Sequence, residues 1–101
     1  MLEPYTVLDF TDDRGELGPM LLGDLGANVI RVEPPEGTPA RRRAPRTPDG
    51  KTSLQFLAFN RNKRSIVVEE SDRELLEALI THADFIFESW PEGLLSRYGI
   101  D

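Results

Sequence analysis

The sequence predicts an α/β fold in which a parallel β-sheet carries helices on both faces. Two observations predict it. Short apolar segments rich in β-branched residues alternate along the chain with segments whose leucines recur at helical spacing. The apolar segments also carry apolar residues on both faces, which is typical of strands buried within a parallel sheet. The 101 residues have the length of one domain, so we expect a single unit over 1–101.

The first half of the chain predicts strand, helix, strand and then a long loop. Residues 6–10 (TVLDF) are predicted as a strand. Four leucines between residues 17 and 25 indicate a helix, and Gly26 stands where a helix C-terminus favours a left-handed residue. Residues 28–33 (NVIRVE) predict a second strand. Prolines and a glycine then begin an irregular segment that runs to about residue 52.

The middle of the chain predicts two further helices around a third strand. Ser53 is a suitable N-cap for a short helix that ends near Phe59. Residues 65–69 (SIVVE) are predicted as the third strand. Ser71 and Glu74 have the spacing of a capping box, in which each side chain accepts a hydrogen bond from an amide of the first turn, so a helix should begin there.

The last segment predicts one strand and one helix. Residues 84–88 (DFIFE) are predicted as the fourth strand. Pro91 has the backbone angle of a first helical turn and is expected to open a short helix that ends at Gly99. In a parallel sheet, ligands bind outside the carboxyl ends of the strands, so the loops after residues 10, 33, 69 and 88 are the expected binding edge.

Basic residues are concentrated in one part of an acidic chain. The whole chain has a net charge of −6, but residues 41–64 contain eight basic residues and one acid, a net charge of +7. The remaining residues, four basic and 17 acidic, carry −13. Such a segment attracts anions locally. Since it begins in the loop that leaves the second strand, we expect a phosphate-bearing ligand near residues 41–46.

Composition excludes several classes of site. The chain has no cysteine and one histidine, His82, so thiolate metal sites, cysteine nucleophiles and two-histidine zinc motifs are excluded, and we expect no metal. No apolar run approaches the roughly 20 residues of a membrane span, and the N-terminus does not resemble a secretory signal. We therefore expect a cytoplasmic protein without a membrane partner. The arginine run lacks interleaved aromatic residues, which disfavours nucleic acid.

Some candidate residues leave alternatives open. Asp9 and Asp84 lie in or beside strands and are expected to bind backbone groups rather than act in catalysis. Trp90 follows the fourth strand and is either part of the core or a platform for a planar ring. Glu33 ends the second strand, where a ribose would be held in a dinucleotide site. However, the first turn lacks G-x-G-x-x-G and contains three acids that would repel a pyrophosphate, Asp12, Asp13 and Glu16.

Four segments together resemble one family. They are VLDFT at residues 7–11, LGANVIRVEPP at 25–35, FNRNKRS at 59–65, and the stretch from AD at 83–84 through ESW at 88–90 to Gly93. In this order and spacing they resemble the opening of the class III coenzyme A transferases, which include formyl-CoA and carnitine CoA-transferases and α-methylacyl-CoA racemases. The similarity covers nearly the whole chain.

The resemblance implies a fold, a ligand and a partial activity. Its members have a Rossmann-like large domain that binds CoA, a smaller domain, and two interlocked subunits. They transfer CoA from an acyl-CoA to a carboxylic acid through an aspartate, or epimerise an α-methylacyl-CoA. No aspartate of this chain matches that residue, so no catalytic residue is assigned. Residues 1–101 are expected to be the N-terminal CoA-binding segment of the large domain, inactive alone. A racemase portion and a non-catalytic CoA-binding or assembly domain are the alternatives.

The resemblance also assigns CoA contacts and shows departures from the family pattern. The residues at matching motif positions are Pro34, Val68, Ser89, Trp90, Leu94 and Arg97. Trp90 and the apolar positions would flank adenine, and Arg97 with the basic loop would face phosphates. Three positions depart from the pattern, because Glu16 follows Gly15 in place of proline, Ser71 replaces a basic residue, and Glu92 separates Pro91 from Gly93.

Overall fold

The computed structural model describes residues 1–12 and 14–100. Its order of elements is the predicted alternation of strands and helices. The strands are β1 (Thr6–Phe10), β2 (Asn28–Glu33), β3 (Lys63–Val67) and β4 (Phe85–Glu88). The α-helices are α1 (Leu17–Asp24), α2 (Leu54–Phe59), α3 (Arg73–His82) and α4 (Leu94–Arg97), and a 3-10 turn spans Pro39–Arg42.

The four strands form one parallel sheet in the order β3-β2-β1-β4. In its register Asp9 of β1 lies beside Arg31 of β2, and Arg31 lies beside Ser65 of β3. β4 pairs with β1 along its whole length and forms one edge of the sheet. The predicted parallel α/β sheet is therefore confirmed, and the carboxyl ends of all four strands meet at one edge.

The two faces of the sheet are buried in different ways. One face packs Leu8, Phe10 and Val32 against α3, α4 and the aromatic rings of Trp90 and Tyr98, which makes the larger apolar core. The opposite face packs Val7 and Val29 against α1 in a smaller apolar cluster. Helices thus cover both faces, as predicted. The second face also buries charged side chains that the apolar pattern did not predict.

Most predicted boundaries agree with the structure, and glycine conformation explains two of the chain reversals. Gly26 has φ of +103° directly after α1, as its predicted C-terminal role requires. Gly93 has φ of +85° and precedes α4, which begins at Leu94. The prediction that Pro91 opens this helix was wrong. Pro91 instead forms a turn in which its carbonyl accepts the Leu94 amide, because Gly93 is left-handed.

The start of α3 and the limits of β3 also differ from the prediction. Asp72, not Ser71, is the N-cap of α3, and its carboxylate accepts a hydrogen bond from the Glu69 amide instead of a helix amide. The predicted capping box is therefore absent from this helix. β3 covers Lys63–Val67 rather than residues 65–69, because its ladder with β2 starts where Lys63 meets Val29. Val68 lies just beyond β3, and its amide still donates a hydrogen bond to the Glu33 carbonyl of β2.

Candidate functional site

Two open cavities lie at the carboxyl edge of the sheet, where the predicted binding loops meet. The first, of about 320 Å³, lies between the loop after β2 and the segment that leads into α4. The second, of about 340 Å³, lies between the start of the same loop and the turn after β3. Both volumes fall at the lower end of the range for ligand sites, roughly 300–1,000 Å³. We call them the α4 cavity and the β3 cavity.

Two arginines from different elements line the α4 cavity. Arg42 comes from the 3-10 turn after β2, and Arg97 comes from α4. Arg42 donates a hydrogen bond from its guanidinium to the Glu36 carbonyl at 3.1 Å, which orients it within the loop. Glu36 and Glu92 also line this cavity, so its formal charges balance. The arrangement presents two guanidinium groups to one cavity, a combination suited to phosphate oxygens.

The loop after β2 is held to the sheet by hydrogen bonds from two arginines. Arg31 of β2 is fully buried and donates from Nη2 to the Thr38 hydroxyl at 2.8 Å. Arg41 donates from Nε and Nη2 to the two carboxylate oxygens of Glu33, at 2.6 and 2.5 Å. The Arg41 guanidinium also lies 4.3 Å from the centre of the Phe56 ring. The loop that supplies Arg42 to the cavity is therefore anchored by buried polar contacts.

A buried ion network lies beneath this loop on the α1 face of the sheet. The Asp9 carboxylate lies 2.7 Å from the Lys63 ammonium and 3.7 Å from the Arg31 guanidinium. Asn60 donates to the Glu16 carboxylate at 2.6 Å, and its carbonyl oxygen accepts from both Arg31 and Lys63. The three carboxylates of Asp9, Glu16 and Glu33 are matched by the three cations of Arg31, Lys63 and Arg41.

Burial shifts the protonation of two network residues in opposite directions. Burial raises the pKa of Glu16 above its ordinary 4.5, although Asn60 and Arg31 partly oppose this change. Burial lowers the pKa of Lys63, while the nearby Asp9 carboxylate opposes that change. The hydrogen bonds from Arg41 to Glu33 raise the pKa of Arg41, so its charge persists. Each of these charges therefore depends on its partners to remain favourable in the interior.

The raised pKa of Glu16 predicts a pH-dependent stability. The folded state holds the Glu16 proton more tightly than the unfolded state does, so this stabilisation is complete below about pH 4.5 and is lost as pH rises through the folded pKa. Glutamine has no proton to lose, so the free energy of unfolding of Glu16→Gln should rise relative to that of the wild type as the pH increases from 4.5 to neutrality. Urea unfolding across this range measures the difference. Glu77→Gln, on the exposed side of α3, is the matched control, and parallel pH profiles for the two variants would contradict the prediction.

The described acidic residues of the turn between β1 and α1, Asp12 and Glu16, are bound to other residues of the chain. The Asp12 carboxylate is buried and accepts hydrogen bonds from the Ser89 hydroxyl and the Arg14 amide, both at 3.0 Å. The Glu16 carboxylate points into the ion network, and Glu33 is occupied by Arg41. Asp13 lies outside the described residues. The carboxylates of Glu33 and Glu16 are therefore engaged by other residues of the chain.

The structure separates the six predicted CoA contacts into three groups. Leu94 and Arg97 line the α4 cavity. The Ser89 hydroxyl is half-buried and contacts Asp12 at its amide and carboxylate. The other three are buried behind the cavities, namely Pro34, Val68 and Trp90.

The burial of Trp90 decides between its two predicted settings. Its side chain is 3% exposed, with the Phe10 ring at 5.1 Å and the Tyr98 ring at 5.3 Å, measured between ring centres. Trp90 is therefore a core residue, and its faces are not open to a ligand in this structure. Val68 is likewise fully buried, and its carbonyl accepts the Tyr98 hydroxyl at 2.6 Å. The two side chains support the cavity walls from within.

The basic segment does not form one continuous surface, contrary to the simple expectation from its charge. Arg61 binds Asp24 at the end of α1, beside the amino ends of the strands, with a nitrogen–oxygen distance of 2.8 Å. Lys63 is in the buried network, and Arg41 is bound to Glu33. Arg42 is the member that lines the predicted binding edge. Carboxylates elsewhere in the chain therefore neutralise Arg41, Arg61 and Lys63 of this segment.

Asp84 behaves as the sequence analysis predicted, and so in part does Asp9. The Asp84 carboxylate accepts the Thr6 amide at 2.8 Å, which joins the start of β4 to β1. The Asp9 carboxylate accepts the Thr11 amide at 2.8 Å, but it also pairs with Lys63, which the sequence analysis did not foresee. A signal was present, because charged residues at alternate positions of neighbouring strands fall on one face when the strands are in register.

Comparison with known proteins identifies the family to which this architecture belongs. The family model described as "CoA-transferase family III" matches residues 2–101. The chain belongs to this family. It spans only about a quarter of the length of the curated relatives that it matches.

Relatives of this CoA-transferase family III chain include enzymes with stated substrates. It is 38% identical to the "Succinyl-CoA:(R)-benzylsuccinate CoA-transferase subunit BbsE" of Thauera aromatica, with 95% of this chain and 25% of the relative covered. It is 37% identical to the "Formyl-CoA:oxalate CoA-transferase" of Streptomyces coelicolor, with 97% and 25% covered. A solved CAIB/BAIF family protein from Brucella suis superimposes with a TM-score of 0.78 at 35% identity, over 99% of this chain and 28% of that protein.

Two other kinds of feature are absent from the described part of the chain. No helix in residues 1–12 and 14–100 is long and apolar enough to cross a membrane. Within the same ranges, no group of three or more histidine, aspartate or glutamate side chains is arranged to hold a metal ion.

Proposed function

We propose that residues 1–101 form the N-terminal CoA-binding segment of an acyl-CoA:carboxylate CoA-transferase. The observation that carries this proposal is the α4 cavity at the carboxyl edge of a family III sheet, whose lining includes both Arg42 and Arg97. This edge is where parallel α/β sheets bind their ligands. A ligand with several phosphates, such as CoA, matches a cavity lined by two arginines.

The proposed site uses the six assigned residues in different ways. Arg97 contacts phosphate oxygens of CoA, with Arg42 also lining the cavity, and Leu94 packs against the apolar part of the ligand. Val68 and Trp90 act from the interior by fixing the positions of Tyr98 and of the turn that precedes α4. Pro34 and Ser89 fix the ends of β2 and β4. Val68 and Trp90 have interior roles because a fully buried side chain cannot contact the ligand without rearrangement.

In this proposal the chain binds CoA, and residues outside it perform the transfer. Its relatives are about four times as long, and their names describe transfer of CoA from succinyl-CoA or formyl-CoA to a carboxylic acid. We infer that the substrates are an acyl-CoA and a carboxylic acid, that residues outside this segment perform acyl transfer, and that the complete protein is a homodimer. The segment alone is expected to bind CoA without transferring it.

A non-catalytic CoA-binding or assembly domain is the second candidate. The charges at the binding edge favour it. Arg97 is already paired with Glu70 and the β3 cavity is rich in carboxylates, and both features weaken the attraction of this edge for phosphates. CoA transfer by the protein that contains this segment, assayed with succinyl-CoA or formyl-CoA and a dicarboxylic acid, would exclude this second candidate.

Arg97→Gln should weaken CoA binding by at least about tenfold, since a hydrogen bond to a charged group contributes about 1.5–3 kcal/mol. Calorimetric titration of the chain with CoA measures the effect, and pantetheine, which lacks the nucleotide phosphates, should bind both forms equally. Arg64→Gln, on the exposed surface of β3, is the control for loss of one positive charge. Equal weakening by both substitutions would contradict a specific role for Arg97.

A further inference from the structure

Arg97 is bound to a carboxylate at the position proposed for phosphate recognition. Its Nε donates to Oε1 of Glu70 at 2.7 Å, and its Nη2 lies 2.5 Å from the same oxygen. Both side chains are about half exposed, at 61% for Arg97 and 45% for Glu70. Glu70 lies in the turn after β3, whereas Arg97 ends α4, so the pair joins two of the loops at the binding edge.

The pair of Arg97 and Glu70 affects ligand binding because of where Arg97 lies. Arg97 lines both the α4 cavity and the β3 cavity. The β3 cavity is also lined by the acids Glu36, Glu69 and Glu70, and Arg97 is the basic residue among its described lining residues. In the α4 cavity, by contrast, Arg42 adds a second positive charge, so its two arginines balance the two acids Glu36 and Glu92. Phosphate is therefore repelled on the side where Glu70 now holds Arg97.

We propose that Glu70 is a positioning residue that competes with the phosphates of the ligand for the guanidinium of Arg97. This inference rests on the proposed CoA site. A carboxylate and a phosphate both match the planar donor fork of arginine, so they exclude one another at Nε and Nη2. When phosphate binds, Arg97 exchanges Glu70 for the ligand and turns toward Arg42. An exposed ion pair is weak in water, so this exchange is accessible at room temperature.

The competition also determines which cavity receives the phosphates. The acids around the β3 cavity disfavour an anion there, and the exchange at Arg97 supplies positive charge to the α4 cavity only when a ligand is present. Glu70 thus lowers the affinity of the α4 cavity for simple anions, because they bind Arg97 and Arg42 too weakly to displace the Glu70 carboxylate.

Glu70→Gln should tighten CoA binding about two- to fivefold, because loss of an exposed ion pair frees Arg97 at a gain of roughly 0.4–1 kcal/mol. The matched control is Glu69→Gln, which removes the same charge from the same cavity but leaves the pair with Arg97 intact. The double variant Glu70→Gln/Arg97→Gln should bind CoA no more tightly than Arg97→Gln alone. Calorimetric titration at one fixed ionic strength measures all four variants and the wild type.

The results distinguish this inference from the proposed function. Binding of CoA by the wild type, with equal affinities for Glu70→Gln and Glu69→Gln, would overturn the role of Glu70 and leave the CoA site in place. Failure of the wild type and of every variant to bind CoA would overturn both proposals. Tighter binding by Glu70→Gln alone, abolished again when Arg97 is also replaced, would support the competition.

A ligand-free measurement tests the same pair independently. In the nuclear magnetic resonance spectrum of the ¹⁵N-labelled chain, the Arg97 Nε–H resonance should shift on Glu70→Gln and stay in place on Glu69→Gln. In the wild type this resonance should also shift on addition of CoA, because Arg97 then donates to a phosphate oxygen instead of to Glu70. An Nε–H resonance of Arg97 that is insensitive to Glu70→Gln would overturn the inference.

Discussion

Replacing Arg31 with methionine should lower the free energy of unfolding by about 3–5 kcal/mol, since removal of one member of a buried ion network leaves its partners uncompensated. Arg31 is fully buried and lies within 3.7 Å of carboxylate oxygens from Asp9, Glu16 and Glu33. Methionine has a similar length and apolar volume, so the loss of stability arises from charge and hydrogen bonding rather than from a cavity. Urea unfolding followed by circular dichroism measures it.

The matched control for Arg31 is Arg64→Met. Arg64 lies on β3 opposite Ile30, next to Arg31 in the ladder, but its side chain is exposed. We expect this control to change stability by no more than about 0.5 kcal/mol. Because Arg31 also donates to Thr38, its variant should loosen the loop that carries Arg42 and weaken CoA binding as well. Equal stabilities for the two variants would show that the network contributes nothing beyond surface charge.

Replacing Trp90 with alanine should destabilise the chain by about 3–5 kcal/mol, the usual cost of removing a large aromatic side chain from a core. Trp90→Phe should cost much less, because it keeps an aromatic contact with Phe10 and because the indole nitrogen has no hydrogen-bond partner among the described residues. Urea unfolding followed by circular dichroism compares the two variants. The pair therefore tests whether Trp90 stabilises the protein through packing or through its polar group.

The fluorescence of the wild type provides a second test of Trp90. It is the single tryptophan of the chain, so its emission reports this site alone. A buried indole should emit at short wavelength and be protected from acrylamide until urea unfolds the chain. A solvent-exposed emission, together with near-normal stability of Trp90→Ala and loss of CoA binding, would favour the alternative in which Trp90 is a ligand platform.

The elements of the fold could be predicted from local patterns. The apolar run of β1, the leucine spacing of α1 and the conformation of Gly26 each depend on neighbours within a few residues, and all three occur where predicted. The errors also have local causes. Asp72 displaced Ser71 as the N-cap because its carboxylate binds the Glu69 amide, and Gly93 displaced Pro91 because it adopts a left-handed conformation.

The position of the candidate binding edge could be predicted from the sequence, but the partners of its arginines could not. Parallel strands bring their carboxyl ends together, so Leu94, Arg97 and the loop after β2 were expected near one another, and they share a cavity. The partners of Arg97 and Arg41 could not be predicted, because Glu70 and Glu33 are chosen by the orientation of loops rather than by spacing along the chain. Charge counted along the sequence therefore overestimated the positive surface.

The sequence by itself determined the alternation of strands and helices, the parallel sheet and the edge at which we propose that a ligand binds. Only the tertiary structure decided that Arg31 and Lys63 are buried with Asp9, that Trp90 belongs to the core, and that Arg97 is held by Glu70. The physical reason is the range of the interactions. Backbone preference and periodicity act between near neighbours, whereas ion pairing and ring packing depend on strand register and on contacts between residues far apart in the chain.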